Sequence, residues 1–366
     1  MRRAARTIGT ILLFTIVFLC LATVLAPPFL DRIYYRGPVS DHFDGERFFN
    51  PEGEAGDPRR SPGFFLRFLA GRGRSPWPEM VPVTPARPPR RVEGSAMQVT
   101  WVGHATMLVQ TGGLNILTDP VWSDRASPFS FTGPRRVRAP GIGFDDLPPI
   151  DLVLVSHNHY DHLDTATLRR LWDRDRPLIV TGLGNDRLLA DHGVTARGID
   201  WNQRVMLPAG GSVRLLRNHH WSSRWFADRN RALWGAFAVE LPGGNIFFGG
   251  DTGWGDGSWV REAAARGPYR LAIIPIGAYE PRDFMQHHHI DPAEAVRIFE
   301  TLRPAKAVGV HWGTFQLTFE PINDPPRRLE ALKRARGIAP DRFVAPEAGR
   351  PISVPVQAPV RAGSVR

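Results

Sequence analysis

Cysteine is nearly missing from this 366-residue chain, which has a single one, Cys20. No disulfide can form within the chain, and no cysteine-ligated metal site is open to it. Any metal must be held by histidine and carboxylate. Lysine is scarce too, so the net charge of +10 is carried almost wholly by arginine. Arginine is always ionised and grips phosphate in a planar fork. The arginines are scattered and lack the aromatic interleaving of a single-strand groove, so nucleic acid is not expected as a partner. An anionic membrane surface suits the charge better. No short-period repeat is present. The 42% apolar and 10% aromatic content fits a globular protein with a sizeable core.

One long hydrophobic run stands out. Arg2, Arg3 and Arg6 precede "IGTILLFTIVFLCLATVLA", residues 8–26, which carries no charge. As a helix it would be ~28 Å long, enough for a hydrocarbon core. Pro27 directly after Ala26 disfavours cleavage as a signal peptide. Residues 1–30 are therefore expected to form a basic flank and a transmembrane helix. The flank stays cytoplasmic and the body lies on the other, periplasmic side, although Arg32 and Arg36 pull against that orientation.

Residues 31–96 are rich in Pro, Gly and Arg and read as an extended arm. Within it, "GFFLRFLA" (63–70) reads as a local helix packed on the core, with a lipid-facing patch as the rival. Residues 350–366 read as a flexible tail. Between them, residues 97–349 form the folded block. "MQVTWVGHATMLVQT" and "LNILTDP" are strand-like and meet across Gly112-Gly113, a hairpin signal. Further apolar strands follow at 151–155, 177–182, 213–217, 235–241, 245–253, 271–278 and 305–314. Asp164 is placed to cap the helix beginning "TATLRRLW", and Asp291-Pro292 to open "AEAVRIFETL". Two sheets covered by helices fit this alternation.

The densest chemistry is "VSHNHYDHLD", residues 155–164. His157, His159, Asp161 and His162 follow an apolar strand. In extended chain, positions i and i+2 face the same side, so His157 and His159 can share one metal. Asp161 and His162 enter the next helix and can face a second. Three more apolar runs end in candidate ligands: His219 and His220 after "LLRN", Asp251 after "NIFFGG", and His311 after "AVGV". Ligands at strand ends can converge on one sheet edge. Counting makes Asp251 the shared residue, because both sites are otherwise one ligand short. Nitrogen and oxygen ligands without sulfur suit two Zn²⁺, and also Fe or Mn. Such a pair supplies hydroxide for hydrolysis, and Asp161 can both bind metal and orient that hydroxide.

These residues, in this order, resemble the metallo-β-lactamase superfamily, with "HNHYDH" matching its His-x-His-x-Asp-His motif. The resemblance runs from about residue 98 to 348. It implies an α/β fold, an αββα four-layer sandwich with a dinuclear site at one edge. A narrower likeness lies in "WVGHATMLVQ", "LTDPVWSDRASP", "GPRR", "FFGGDTG", "IPIGAYEPR", "HHIDPAEAVRI" and "HWGTF". Together these resemble the N-acylphosphatidylethanolamine-hydrolysing phospholipase D family. That family's zinc phosphodiesterases release an N-acylethanolamine and leave phosphatidic acid.

The resemblance implies His157, His159, Asp161, His162, His220, Asp251 and His311 as metal ligands. It implies Asp161 and His289 as catalytic contacts, a phospholipid substrate, and allows a homodimer. His219 stands where the family carries Gln, and Asp283 where an aromatic is expected. The arm matches poorly. Other superfamily members act on lactones and sugar-phosphate esters, so these are the alternative substrates. A non-catalytic, metal-stabilised binding module is the alternative of another class; the complete ligand set speaks against it.

Other residues are less decided. His104 is either a support for the site or a structural turn residue. Asp119 either holds a ligand histidine or shapes a turn. His287 and His288 read as solvated, and His42 and His192 as surface. Trp221, Trp225 and Trp254 read as core. The glycines of "GGDTGWGDG" read as letting the backbone close around Asp251 rather than as a phosphate loop.

Overall fold

The computed structural model describes residues 2–25, 34–53, 71, 73–225 and 227–356. The "GFFLRFLA" segment lies outside them. Two seven-stranded sheets form the body. The first contains β1 (Met97–Gly103), β2 (Thr106–Thr111), β3 (Leu114–Thr118), β4 (Leu152–Val155), β5 (Leu178–Gly182) and β6 (Arg197–Ile199) in that order, with β14 (Pro351–Ser353) beside β1. The second runs from β7 (Arg204–Met206) through β8 (Ser212–Leu216), β9 (Ala236–Glu240), β10 (Asn245–Phe248), β11 (Tyr269–Pro275) and β12 (Lys306–Val310) to β13 (Phe343–Val344). Each sheet has an antiparallel half and a parallel half. The parallel pairs are β3–β4–β5–β6 and β10–β11–β12–β13.

Strand alternation sets the layers. In β4, Leu152 and Leu154 face the core shared with the second sheet, beside Leu215, Phe237 and Phe248. Val153 and Val155 face the opposite way, toward Leu168 and Leu171 of α2 (Thr165–Asp175) and Leu188 and Leu189 of α3 (Asn185–Ala190). The second sheet is covered by α4 (Ser258–Ala264) and, after the short α5 (Arg282–Met285), by α6 (Pro292–Leu302) and α7 (Asp324–Ala335). This is helix–sheet–sheet–helix layering. Strands buried on both faces read as continuous apolar runs, which explains why β4 and β11 lack a polar period.

Several local signals appear where the sequence places them. Gly112 and Gly113 both have positive φ (56° and 75°) and close a two-residue hairpin between β2 and β3. Asp164 accepts from Ala166 and Thr167 backbone N–H at the start of α2. Asp291 and Glu294 form a reciprocal capping box on α6, with Pro292 in its first turn.

Three expectations are corrected. Residues 2–25 form α1 (Arg2–Leu25), yet among the described residues no helix is long and apolar enough to cross a membrane. Arg2, Arg3 and Arg6 fill three of its first five positions, so less of the helix is apolar than its length suggests, and Ala26 lies outside the described residues. The transmembrane anchor is therefore overturned, and with it the anchored, periplasmic placement. Second, residues 351–353 do not fray. They pair antiparallel with Gln98, Val99 and Thr100 of β1, because the unpaired edge of β1 offers a ladder. Third, "MQVTWVGHATMLVQT" is two strands. The pairing shifts register between Trp101 and Gly103, and His104 follows in left-handed conformation, φ 53°.

The described part of the arm has no helix or extended strand but packs on the body, with Phe43 and Phe48 buried. His42 is buried as well, stacked on Trp201 with ring centroids 4.5 Å apart, so it is no surface residue. Its ring nitrogens reach Asp41 at 2.6 Å and Asp200 at 2.7 Å. Burial pushes its pKa down, but the two carboxylates outweigh this and the net shift is upward from 6.5. Asp41 is 89% exposed, so Asp200 is the stronger partner. A raised folded-state pKa gives stability that is fully present below the ordinary histidine value and fades as pH rises through the raised one. His42→Ala is therefore expected to lower the melting temperature more at pH 6 than at pH 9, relative to wild type. An equal drop at both pH values would mean that only the ring stacking matters.

Candidate metal centre

The site is assembled from chain leaving the strand ends. Leaving β4, the chain delivers Ser156 and His157, then turns through His159, Asp161 and His162 into α2. The loop after β8 delivers His220, that after β10 Asp251, and that after β12 His311. The link from α5 to α6 adds His289. Four of these are in effect fully buried: Ser156, His157, His162 and His220.

All seven candidate ligands come together. Ligand atoms of His157, His159 and His220 lie within 4.8 Å of one another, as do those of His104, Asp161, His162 and His311. Asp251 stands between the groups, its Oδ2 being 3.0 Å from His162 Nε2, 3.1 Å from His311 Nε2 and 3.9 Å from His157 Nε2. Asp161 Oδ2 lies 3.3 Å from both His162 Nε2 and His311 Nε2. His289 groups with His220 and Asp251, its Nδ1 being 3.9 Å from Asp251 Oδ2.

Hydrogen bonds behind the cluster fix which ring nitrogens face the centre. His162 Nδ1 donates to Asp119 Oδ2 at 2.6 Å. Ser156 Oγ donates to the same carboxylate at 2.6 Å, while its backbone N–H donates to Oδ1 at 2.7 Å. That leaves Ser156 Oγ to accept from His157 Nδ1 at 2.9 Å. His220 Nδ1 donates to the His288 carbonyl at 2.9 Å. Each of these three rings thus turns Nε2 toward the centre, that of His157 lying 2.8 Å from His159 Nδ1. His162 Nε2, His220 Nε2 and Asp251 Oδ1 are buried and make no hydrogen bond among the described residues. Orphaned buried nitrogens and carboxylate oxygens are costly unless a cation meets them, so the donor set fits a metal.

Electrostatics agree. Burial pushes His157 and His220 well below the ordinary histidine value, which keeps them neutral. Burial and then His311 take His104 to about 3. Burial takes His159 to about 3 and His289 to about 4. Burial opposes ionisation of Asp161 and Asp251, yet His162 outweighs it, and both carboxyls sit well below their usual range. Burial also opposes the charge on His311, but Asp251 and Asp161 lift it to about 9. The pocket calls for positive charge between its carboxylates.

The residues left undecided in the sequence now have places. His104 Nε2 donates to Asp161 Oδ2 at 2.8 Å, and its own backbone N–H is held by Thr314 Oγ1 at 2.8 Å. Asp119 is the hub behind His162 and His157. His219 turns away from the cluster toward Glu52. His287 and His288 are half-buried rather than solvated. Trp221 is half-buried at the rim, with its ring centroid 4.3 Å from that of His159, and Trp225 is 40% exposed. Trp254 packs on the core as expected. His192 lines a cavity beside the metal-motif loop.

Gly250 has φ 58°, and a Cβ there would stand 2.7 Å from Ser156 Cβ, so only glycine lets the Asp251 loop approach Ser156. Sequence reasoning missed Ser156 and Arg224. Arg224 lies over the Tyr160 ring at 3.9 Å and donates to the carbonyls of Asn158 and Leu163, which fastens the motif loop. Neither carries a local sequence signal, because each contact joins distant elements.

Layered sheets with a histidine–aspartate cluster at their strand ends define a class. Residues 114–312 match the model of the beta-lactamase superfamily domain, and the chain belongs to that superfamily as a metal-dependent hydrolase. Among individual proteins, it is 38% identical over 253 residues to N-acyl-phosphatidylethanolamine-hydrolyzing phospholipase D 1 of Caenorhabditis elegans, covering 66% of this chain and 71% of that one. It is 33% identical to the mitochondrial N-acyl-phosphatidylethanolamine-hydrolyzing phospholipase D of Saccharomyces cerevisiae, covering 70% of this chain and 56% of that one. The solved structure of Igni18, a metallo hydrolase from Ignicoccus hospitalis, shares the fold with a TM-score of 0.55 at 20% identity, covering 72% of this chain and all of that one.

Proposed function

We propose that this hydrolase cleaves a phosphodiester, an N-acylphosphatidylethanolamine-type phospholipid, releasing an N-acylethanolamine and phosphatidic acid. Two zinc ions would be held by His157, His159 and His220 on one side and by Asp161, His162 and His311 on the other, with Asp251 shared. The observation that carries the reading is the position of the Asp251 carboxylate between two ligand groups. The names of the worm and yeast relatives support the substrate.

Metal held at these residues would supply hydroxide from water near neutral pH and would neutralise charge building on a phosphoryl oxygen. The protein side chains do the rest. Asp161, held ionised chiefly by His162 and oriented by the His104 N–H, aligns the attacking oxygen by accepting its proton in a hydrogen bond. His289 is neutral and 12% exposed in its side chain. It reaches the mouth of the centre and donates an N–H to a phosphoryl oxygen.

Next to the motif loop is a cavity of about 700 Å³, with Leu163, Phe129 and Trp225 in its wall together with Arg125, Asp164 and Arg224. That volume is in the range of ligand pockets and suits an acyl chain. The net charge of +10 suits a substrate presented in an anionic lipid surface.

Zinc-loaded protein is expected to release phosphatidic acid from detergent-dispersed N-acylphosphatidylethanolamine. A chelator should abolish that release and added zinc restore it, followed by mass spectrometry of both products. Turnover of lactones with every phosphodiester left intact would end this reading in favour of a lactonase.

A further inference from the structure

Residues 50–52 of the arm reach into the loops that carry His220 and Asp251. Asn50 Nδ2 donates to the His220 carbonyl at 2.9 Å. Glu52 Oε1 accepts from His219 Nδ1 at 2.6 Å, and Oε2 from Arg217 Nη1 at 2.8 Å. These side chains are secluded, at 10% exposure for Glu52, 3% for His219 and 14% for Arg217. His219 in turn ties the two loops together. Its backbone N–H donates to Thr252 Oγ1 at 3.1 Å, and its carbonyl accepts from Gly253 N–H at 2.7 Å. The contact is built for: a Cβ at Gly255 would stand 2.7 Å from His219 Nδ1 and 3.2 Å from Glu52 Oε1.

The adjacent histidines therefore have different partners. His220 points its bare Nε2 into the centre, while His219 points outward to a carboxylate from the arm. We propose that Glu52, assisted by Asn50, is a positioning residue for the metal centre. Through His219 it sets the register of the β8 loop against the β10 loop, and so the separation of His220 from Asp251. The inference rests on reading those two residues as metal ligands. It assigns work to a stretch of chain that the family resemblance leaves unexplained, and a reason for His219 at its position.

The test uses the full chain with zinc as the probe. Zinc affinity is measured by competition with a chromophoric chelator, and melting temperature alongside, for wild type, Glu52→Gln, His219→Gln, the double variant and Glu262→Gln. Glu262 also pairs with Arg217, at 2.6 Å, but stands 55% exposed and away from His219. Glu52→Gln and His219→Gln are each expected to weaken zinc binding by about 10- to 100-fold, as losses behind a ligand do. The double variant should be no weaker than the single ones, since both cut one link, and Glu262→Gln should stay within about twofold of wild type. A Glu52→Gln protein that melts earlier but binds zinc like wild type would overturn the proposal alone. Wild type that binds less than one equivalent would remove the metal reading as well.

Discussion

Replacing Asp251 by asparagine is expected to lower kcat/KM by about a thousandfold or more, roughly 4 kcal/mol of transition-state stabilisation. The substitution keeps the shape and removes the charge. Asp251 is 2% exposed and ringed by His157, His162 and His311 at 3.9, 3.0 and 3.1 Å. It is the carboxylate that both ligand groups approach, so its loss weakens both at once. Metal content per protein, measured beside steady-state rates, separates a damaged centre from a misfolded one. An asparagine variant with full metal content and a rate within tenfold of wild type would show that Asp251 is not shared.

The next largest effect is expected at a residue that touches no substrate. Asp119→Asn should weaken metal affinity by about 10- to 100-fold. Asp119 accepts three hydrogen bonds: two from Ser156 and one from His162 Nδ1. Asparagine has a single acceptor oxygen, so at least one of those donors would meet an N–H instead. If that donor is His162, the ring proton moves to Nε2, where the lone pair is needed. Ser156→Ala breaks only the branch to His157 and should cost less. Chelator competition ranks the three proteins. Equal affinities for wild type and Asp119→Asn would reduce Asp119 to a turn residue.

Much of this was legible before any coordinates, because ligand motifs are local. Four of the seven candidate ligands fall within "HNHYDH", and the others each follow an apolar run that had to be a strand. The Gly112-Gly113 hairpin and the Asp164 and Asp291 caps are local too. What sequence could not settle was whatever depends on approach from elsewhere. Asp119 reads equally as a ligand support or a turn residue until Ser156 and His162 are seen to meet it. His42 reads as surface until Asp200 and Trp201 close on it, and residues 31–96 read only as an extended arm until Glu52 reaches His219. The N-terminal run misled for a different reason. Arg2, Arg3 and Arg6 continue into the same helix as the apolar residues, and a sequence run does not show where its helix begins.

The pairing of β14 with β1 has a consequence for biosynthesis. Among the described residues these neighbours are the first and last strands in chain order. While the polypeptide is still emerging from the ribosome, β1 has no partner on that side. Its open edge is a template for pairing with another nascent copy. Emergence of β14, rather than hairpin formation, is then the moment when this edge of β1 is covered.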